Sequence, residues 1–451
     1  MAETFDLIVI GTGSGGSAPA YRCRAAGWRV AVVDELPYGG TCALRGCDPK
    51  KVLVGAADLA DWNRRMQGRG ITGDARISWP DLMRFKRTFT DPVPANREQA
   101  FEQAGIATYH GPGRFASPDQ LAVDGEVLAA RHFVIAAGAK PRRLGVPGEE
   151  HLVTSTAFLE LDQLPARIAF VGAGYISFEF AHVARRAGAQ AILVGRGRPL
   201  QHFEQDLVTR LVDHTRSLGI ELRLDADVTT IEQHGAGYRL RVSTQGRTET
   251  VEADLVVHGG GRVPSTEELD LGAAHIATEP DGGVRVNAFL QSVTNPHVYA
   301  AGDAAASPGS LPLTPVAGYE GAIVASNLLK GNTRTPDYRG IPSVVFTVPP
   351  LAGVGLTEAQ ARAQQLDVRV KVDDTSGWYS NRRVAETCAM FKVIVENQTD
   401  RVVGAHLLGP HAEEVINLFA LAIRSGLPAT DLKHLLYAYP TSGSDVPYTI
   451  P

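Results

Sequence analysis

The stretch Asp6-Leu-Ile-Val-Ile-Gly11-Thr12-Gly13-Ser14-Gly15-Gly16 decides the fold. A short apolar run closes in a glycine-rich turn, and an Ala/Arg-rich helical pattern follows through Ala26. A second apolar run, Val30-Ala-Val-Val, then ends at Asp34. Strand, glycine turn, helix and strand make a βαβ unit. Such a turn lets backbone N–H groups and the helix N-terminus approach a pyrophosphate. The spacing Gly11-x-Gly13-x-x-Gly16, with an acid at the strand end to accept from ribose hydroxyls, meets the full requirement of a dinucleotide site.

The same plan recurs. Ile168-Ala-Phe-Val leads into Gly172-Ala173-Gly174-Tyr175-Ile176-Ser177, a helix to Ala187, and Ala191-Ile-Leu-Val ending at Gly195-Arg196. Each second strand ends 23 residues after the first glycine (11 to 34, 172 to 195). Two such units imply two dinucleotide sites. In the second, Ser177 replaces the third glycine, and Arg196, Arg198 and His202 stand where an acid would be. A carboxylate repels a 2′-phosphate and guanidinium groups grip one. NADPH is therefore expected there, in preference to NADH.

The remainder of the chain bounds the answer. Its 451 residues predict about three domains. A net charge of -5 gives no basic footprint for nucleic acid. No apolar run approaches the ~18 residues that cross a bilayer, so no membrane role is expected. The N-terminus lacks a basic leader, and a cytoplasmic location is the expectation. Turn clusters at Gly138–Pro141, Val146–Gly148 and Gly259–Pro264 punctuate the βαβ units. After Pro342 come alternating strand-like runs, Ser343–Thr347, Phe391–Val395 and Val402–Leu408, and then one amphipathic helix over 412–425. Val415, Ile416, Phe419 and Ile423 of that helix fall at helical spacing and suit an interface.

Four cysteines do not make a disulfide scaffold in a chain of this length. Cys23 reads as a buried helix residue. Cys42 and Cys47, however, stand five apart in Gly39-Gly-Thr41-Cys42-Ala-Leu-Arg-Gly-Cys47-Asp-Pro-Lys50-Lys51. On an ideal helix their Cα atoms would be roughly 8–9 Å apart, whereas a disulfide wants less than ~7 Å. A bridge needs a distorted helix start, which Gly40 and Gly46 permit. No second Cys/His pair completes a zinc site, and no metal is expected. A redox pair and a pair of inert core thiols both remain open on this spacing.

At these residues the chain resembles the glutathione reductase-type flavoprotein disulfide reductases, a family that includes dihydrolipoamide dehydrogenase and mercuric reductase. The resemblance rests on Gly39–Lys51, both dinucleotide motifs, Gly261-Arg262-Val263-Pro264, Ala301-Gly302-Asp303 and Leu313-Thr314-Pro315-Val316-Ala317. Pro349-Pro350 and Val354-Gly355-Leu356-Thr357-Glu358 extend it into the last third. It implies an α/β fold with two Rossmann-like domains, for FAD and NAD(P), and a C-terminal α+β dimerisation domain. The expected spans are 1–147 with 263–335 for FAD, 148–262 for NAD(P)H, and 336–451 for a homodimer contact. Gly11, Gly13, Ser14, Gly16, Asp34, Gly40, Thr41, Lys50, Gly113, Gly138, Arg262 and Asp303 would hold FAD. Gly172, Gly174, Tyr175, Ile176, Ser177, Arg196 and Gly261 would hold NADPH, with Tyr175 as a gate. Cys47 would be the thiolate beside the flavin and Cys42 the sulfur that meets the acceptor. Lys50 and Glu179 would tune the flavin.

One part of the family pattern is altered. Where the disulfide reductases carry a C-terminal His-Pro…Glu from the other subunit, this chain reads Tyr439-Pro-Thr-Ser-Gly-Ser444-Asp445. A phenol with pKa near 10 is a poor proton shuttle at neutral pH beside imidazole. Asp445 or the nearby His434 could stand in. Mercuric reductases have tyrosine near that place, but their vicinal cysteine pair has no counterpart in Tyr448-Thr-Ile-Pro451. The acceptor is expected to be a small thiol disulfide, with a metal ion or a quinone as the alternative.

Overall fold

A computed structural model describes residues 3–451, and these fall into two compact units. The first comprises residues 3–50, 85–142 and 261–338. Its β1 (Glu3–Ile10), α1 (Ser14–Ala25) and β2 (Val30–Asp34) are the βαβ unit anticipated from the glycine turn. β1 pairs in parallel with β2 on one side and with the strand Glu126–Ile135 on the other. Leu7, Ile8 and Val9 are fully buried in succession, because a parallel strand covered on both faces needs apolar residues at every position. Val298–Ala300 joins the far side of Glu126–Ile135, also in parallel.

The carboxyl ends of β1 and Glu126–Ile135 converge on Gly11, the crevice where open α/β sheets bind ligands. Gly11 has φ +103°, and a Cβ there would sit 2.3 Å from the Ala136 carbonyl oxygen. Only glycine fits. Gly172 of the second unit repeats the device, with φ +119° and a Cβ that would sit 2.2 Å from Gly259 O.

The second unit comprises residues 51–84, 143–260 and 339–451. Its parallel sheet runs Glu221–Leu224, Gln190–Gly195, Arg167–Val171, Leu255–His258. The helix Tyr175–Arg186 follows its glycine turn. A three-stranded antiparallel meander spans residues 226–253. A five-stranded antiparallel sheet is built from residues 343–408. The helix Ala412–Ser425 lies against it, burying Ile416, Phe419 and Ala422 with Phe391, Val393 and Leu407.

One strand of that sheet escapes the alternation rule. Leu351–Gly355 is two-fifths glycine and forms because Ser343–Val345 and Arg401–Leu408 flank it. Val368–Asp374 is an edge strand whose Arg369, Lys371 and Asp373 keep that edge charged. Among the described residues, no helix is long and apolar enough to cross a membrane.

Ser177, at the third glycine position, is wholly buried, and its hydroxyl has no hydrogen-bond partner among the described residues. It occupies space that Gly259 leaves open, since a Cβ on Gly259 would lie 2.0 Å from Ser177 Oγ. Gly259→Ala is therefore expected to cost about 1–3 kcal/mol by overpacking. In a Ser177→Gly background the cost should fall to well under half. A chemical-denaturation double-mutant cycle measures the coupling, and additive effects would contradict this packing.

Candidate active site

The segment that carries the cysteines is two helices meeting at a break. α2 (Gly40–Arg45) stops at Gly46, and α3 (Cys47–Met66) starts on the next residue. A Cβ at Gly46 would lie 2.9 Å from Thr41 O, so the break is tight as well as irregular. Cys42 thereby sits on one helix and Cys47 at the first position of the next. Both are thiols in this structure.

The two thiols are not equivalent. The Cys47 thiol is held down at about 6, first because Cys42 donates a hydrogen bond to it. Burial opposes that shift, while the Thr314 hydroxyl, 3.5 Å from Sγ, and the Lys50 charge assist it. Cys42 is pushed far up by the same hydrogen bond and by burial. At neutral pH the pair is Cys42–SH donating to Cys47–S⁻. Cys23 and Cys388 are buried, and burial raises both, Cys23 to about 12. Neither has the thiolate character that redox chemistry requires.

The first glycine turn fits the diphosphate of FAD. The N-cap of α1 is Gly13, which offers no side chain to the free N–H groups, and the first turn holds no acid. Gly40 comes so close to Gly13 that a Cβ would sit 2.5 Å from the Gly13 Cα. Ser14 and Gly16 lie in the same first turn, and Thr41 follows Gly40 in α2. Asp34 is largely committed to the turn itself. Its carboxylate accepts from Thr12 N–H at 2.8 Å, Thr12 Oγ at 2.6 Å and Leu36 N–H at 3.0 Å. Of roughly four lone-pair positions, these leave one for a ribose. Asp303 is raised by burial, against the pull of the Arg262 charge, and Arg262 donates to the Ala139 carbonyl. Arg142 N–H donates to Gly261 O, which places Gly261 in this unit. Gly138 accepts from Ser265 N–H, and Gly113 packs on Leu121.

In the second unit the helix Tyr175–Arg186 again begins on a bare glycine cap, Gly174, with no acid in its first turn. Tyr175 is half exposed there, and Ile176 and Ser177 follow. The turn after Gly195 is tied to the glycine loop by Leu200 N–H donating to Ala173 O. Arg196 projects from it into solvent, 3.9 Å from Asp227. An exposed pair of that length holds it weakly. Glu179 is buried and accepts from the Phe346 N–H at 2.8 Å.

The region 5–321 matches the family of pyridine nucleotide-disulphide oxidoreductases, and residues 341–448 match the dimerisation domain of the same family. The chain belongs to that family. Family members bind flavin and depend on a pyridine nucleotide, and this chain is an oxidoreductase of the same kind. It is 32% identical to a glutathione reductase of Burkholderia cepacia over 97% of this chain and 96% of that one. Identity to a mercuric reductase of Staphylococcus aureus is also 32%, over 97% of this chain and 80% of the relative. The Cu(II) complex of the HOCl-induced flavoprotein disulfide reductase RclA from Escherichia coli superposes with a TM-score of 0.89. That alignment has 26% identity and covers 100% of this chain and 99% of that one.

Against the family background, the C-terminal residues take definite places. Tyr439 is 83% exposed. His434 ends the helix Ala429–His434. Asp445 is bonded to Ser380 Oγ, and burial raises its carboxyl. Four contacts around the core of the site were not evident from spacing: Thr12 on Asp34, Thr314 on Cys47, Asp48 near Cys42, and Arg45 among the charges of Asp34, Glu35 and Arg262. Thr314 lies inside a recognisable motif, but nothing in the spacing says that it reaches a residue 267 positions away.

Since its pKa lies near 6, the Cys47 thiolate of the reduced protein persists at pH 7 and is lost as pH falls through about 6. Thr314→Val removes a hydroxyl that stabilises the thiolate, so the midpoint should move up. The pH dependence of Cys47 alkylation in the two reduced proteins, followed by mass mapping, reads this directly. An unchanged midpoint would contradict the role given to Thr314.

Proposed function

We propose that the protein is an NADPH-dependent FAD enzyme that passes electrons through Cys47 and Cys42 to a small disulfide. The observation that carries this reading is the asymmetric pair: a stabilised thiolate at Cys47 with a protonated Cys42 as its hydrogen-bond donor. When bound, FAD supplies a two-electron relay between the nicotinamide and Cys47. The spans 1–147 with 263–335 would hold FAD, 148–262 would hold NADPH, and 336–451 would join two copies as a homodimer. Tyr175 would cover the nicotinamide pocket, and Lys50 and Glu179 would set the surroundings of the flavin. The reducing cytoplasm suits such a pair.

The chemistry at sulfur balances as follows. Cys42 gives up its proton and attacks one sulfur of the acceptor. The acceptor S–S bond breaks, a mixed disulfide with Cys42 forms, and the first thiol leaves with a proton. Cys47 thiolate then attacks Cys42 Sγ, closing the Cys42–Cys47 bond and releasing the second thiolate, which takes a proton from solvent. Two electrons leave the cysteines and two enter the acceptor. Tyr439, in place of an imidazole, makes the protonation of the leaving thiol the weakest link.

That weakness supports a second reading, with a metal ion as acceptor, because a metal ion needs no protonated leaving group. Equal identity to a glutathione and a mercuric reductase supports it too. NADPH oxidation with a disulfide panel, set against mercuric, cupric and quinone acceptors, separates the two. Turnover of disulfides supports the first reading. No disulfide turnover with fast metal or quinone reduction would discard it.

The nucleotide preference has its own check. Arg196→Ala should raise KM for NADPH about 10–100-fold, the worth of one charge-assisted hydrogen bond, and leave KM for NADH unchanged. Equal effects on both would refute the 2′-phosphate role.

A further inference from the structure

The cysteine pair carries a charge pattern that the electron path does not require. Cys42 Sγ lies 3.8 Å from Asp48 Oδ1. The other groups acting on Cys42 are Cys47 and the Thr314 hydroxyl. The charges that act most strongly on Cys42 are the Cys47 thiolate and the Asp48 carboxylate, both negative. Of the segment's three cations, Arg45, Lys50 and Lys51, Lys50 acts on Cys47, and Lys51 turns to Glu413 and the Phe346 ring. Asp48 is exposed in the first turn of α3, where an approaching molecule meets it.

An acceptor must bring its sulfur into bonding contact with Cys42 Sγ, so charges on its arms come close to Asp48. At about 6 Å and an effective dielectric near 40, two unit charges interact by roughly tenfold in rate. We propose that Asp48 makes Cys42 selective by charge, so that the acceptor is a small disulfide with neutral or cationic arms rather than anionic ones. The identity of the acceptor as a disulfide rests on the function proposed above; the charge selection at Cys42 does not. Asp48 also complements the α3 dipole as a first-turn acid. That structural role changes stability and leaves charge preference untouched.

Two probes of opposite charge test the proposal: cystamine, with two cationic arms, and dithiodiglycolate, with two anionic ones, at saturating NADPH and low ionic strength. The wild-type kcat/KM should favour cystamine by about tenfold or more. Asp48→Asn should cut that ratio by about 10–100-fold, tenfold for each sign of charge it acts on, Asp48→Glu should keep it, and about 0.5 M salt should compress it. A second readout needs no natural acceptor. In the NADPH-reduced protein, Cys42 is alkylated with iodoacetate, an anion, and with neutral iodoacetamide, and the products are quantified by peptide mass mapping. Because both reagents consume the same thiolate, their rate ratio cancels any change in the acidity of Cys42. Asp48→Asn should raise the iodoacetate share several-fold. If the alkylation ratio shifts while no disulfide turns over, the disulfide reading fails and charge selection stands. If disulfides turn over and both ratios are the same in wild type and Asp48→Asn, charge selection is overturned.

Discussion

The hydrogen bond from Cys42 to Cys47 is the interaction on which the rest of the site depends. It assigns different roles to two chemically identical side chains, making one a thiolate at neutral pH and the other a thiol. It exists because the chain breaks at Gly46 and restarts as α3 on Cys47. On a continuous helix the two sulfurs would face different directions. Thr314 comes from a helix that starts more than 260 residues later, so the thiolate is a product of the folded unit and not of the local segment.

The fold repeats one solution twice. In each βαβ unit a glycine with positive φ lies against a backbone carbonyl, and a glycine cap offers the helix N-terminus no side chain of its own. The two copies diverge only where the chain can absorb the change. Ser177 is tolerated because Gly259 yields its space. At the strand ends, Asp34 holds its own turn together, whereas Arg196 stands in solvent with a weak partner. The electrostatic sign of the site changes again at Cys42, where Asp48 adds a negative charge beside the sulfur proposed to meet the acceptor.

Much of this was legible in the sequence. The bounds of α1, β2, the helix Tyr175–Arg186 and the helix Ala412–Ser425 follow from glycine turns and apolar spacing, signals that are local. Strand Leu351–Gly355 was not legible, because its stability comes from two flanking strands and not from its own glycine-rich residues. The same physics hid Thr314 and Asp48: their significance is a distance to a sulfur, which residue spacing does not encode. Asp34 illustrates a subtler gap. Its identity was readable, but its commitment to Thr12 and Leu36 is visible only once the turn is folded.

Cys42 and Cys47 are proposed as one redox pair fed by a pyridine nucleotide. Differential alkylation with mass mapping tests it most directly, comparing the protein isolated in air with the same protein after anaerobic NADPH. Both cysteines should be protected in air and become labelled together after NADPH, with Cys23 and Cys388 unlabelled in both states. Labelling of Cys42 and Cys47 that is the same with and without NADPH would contradict it.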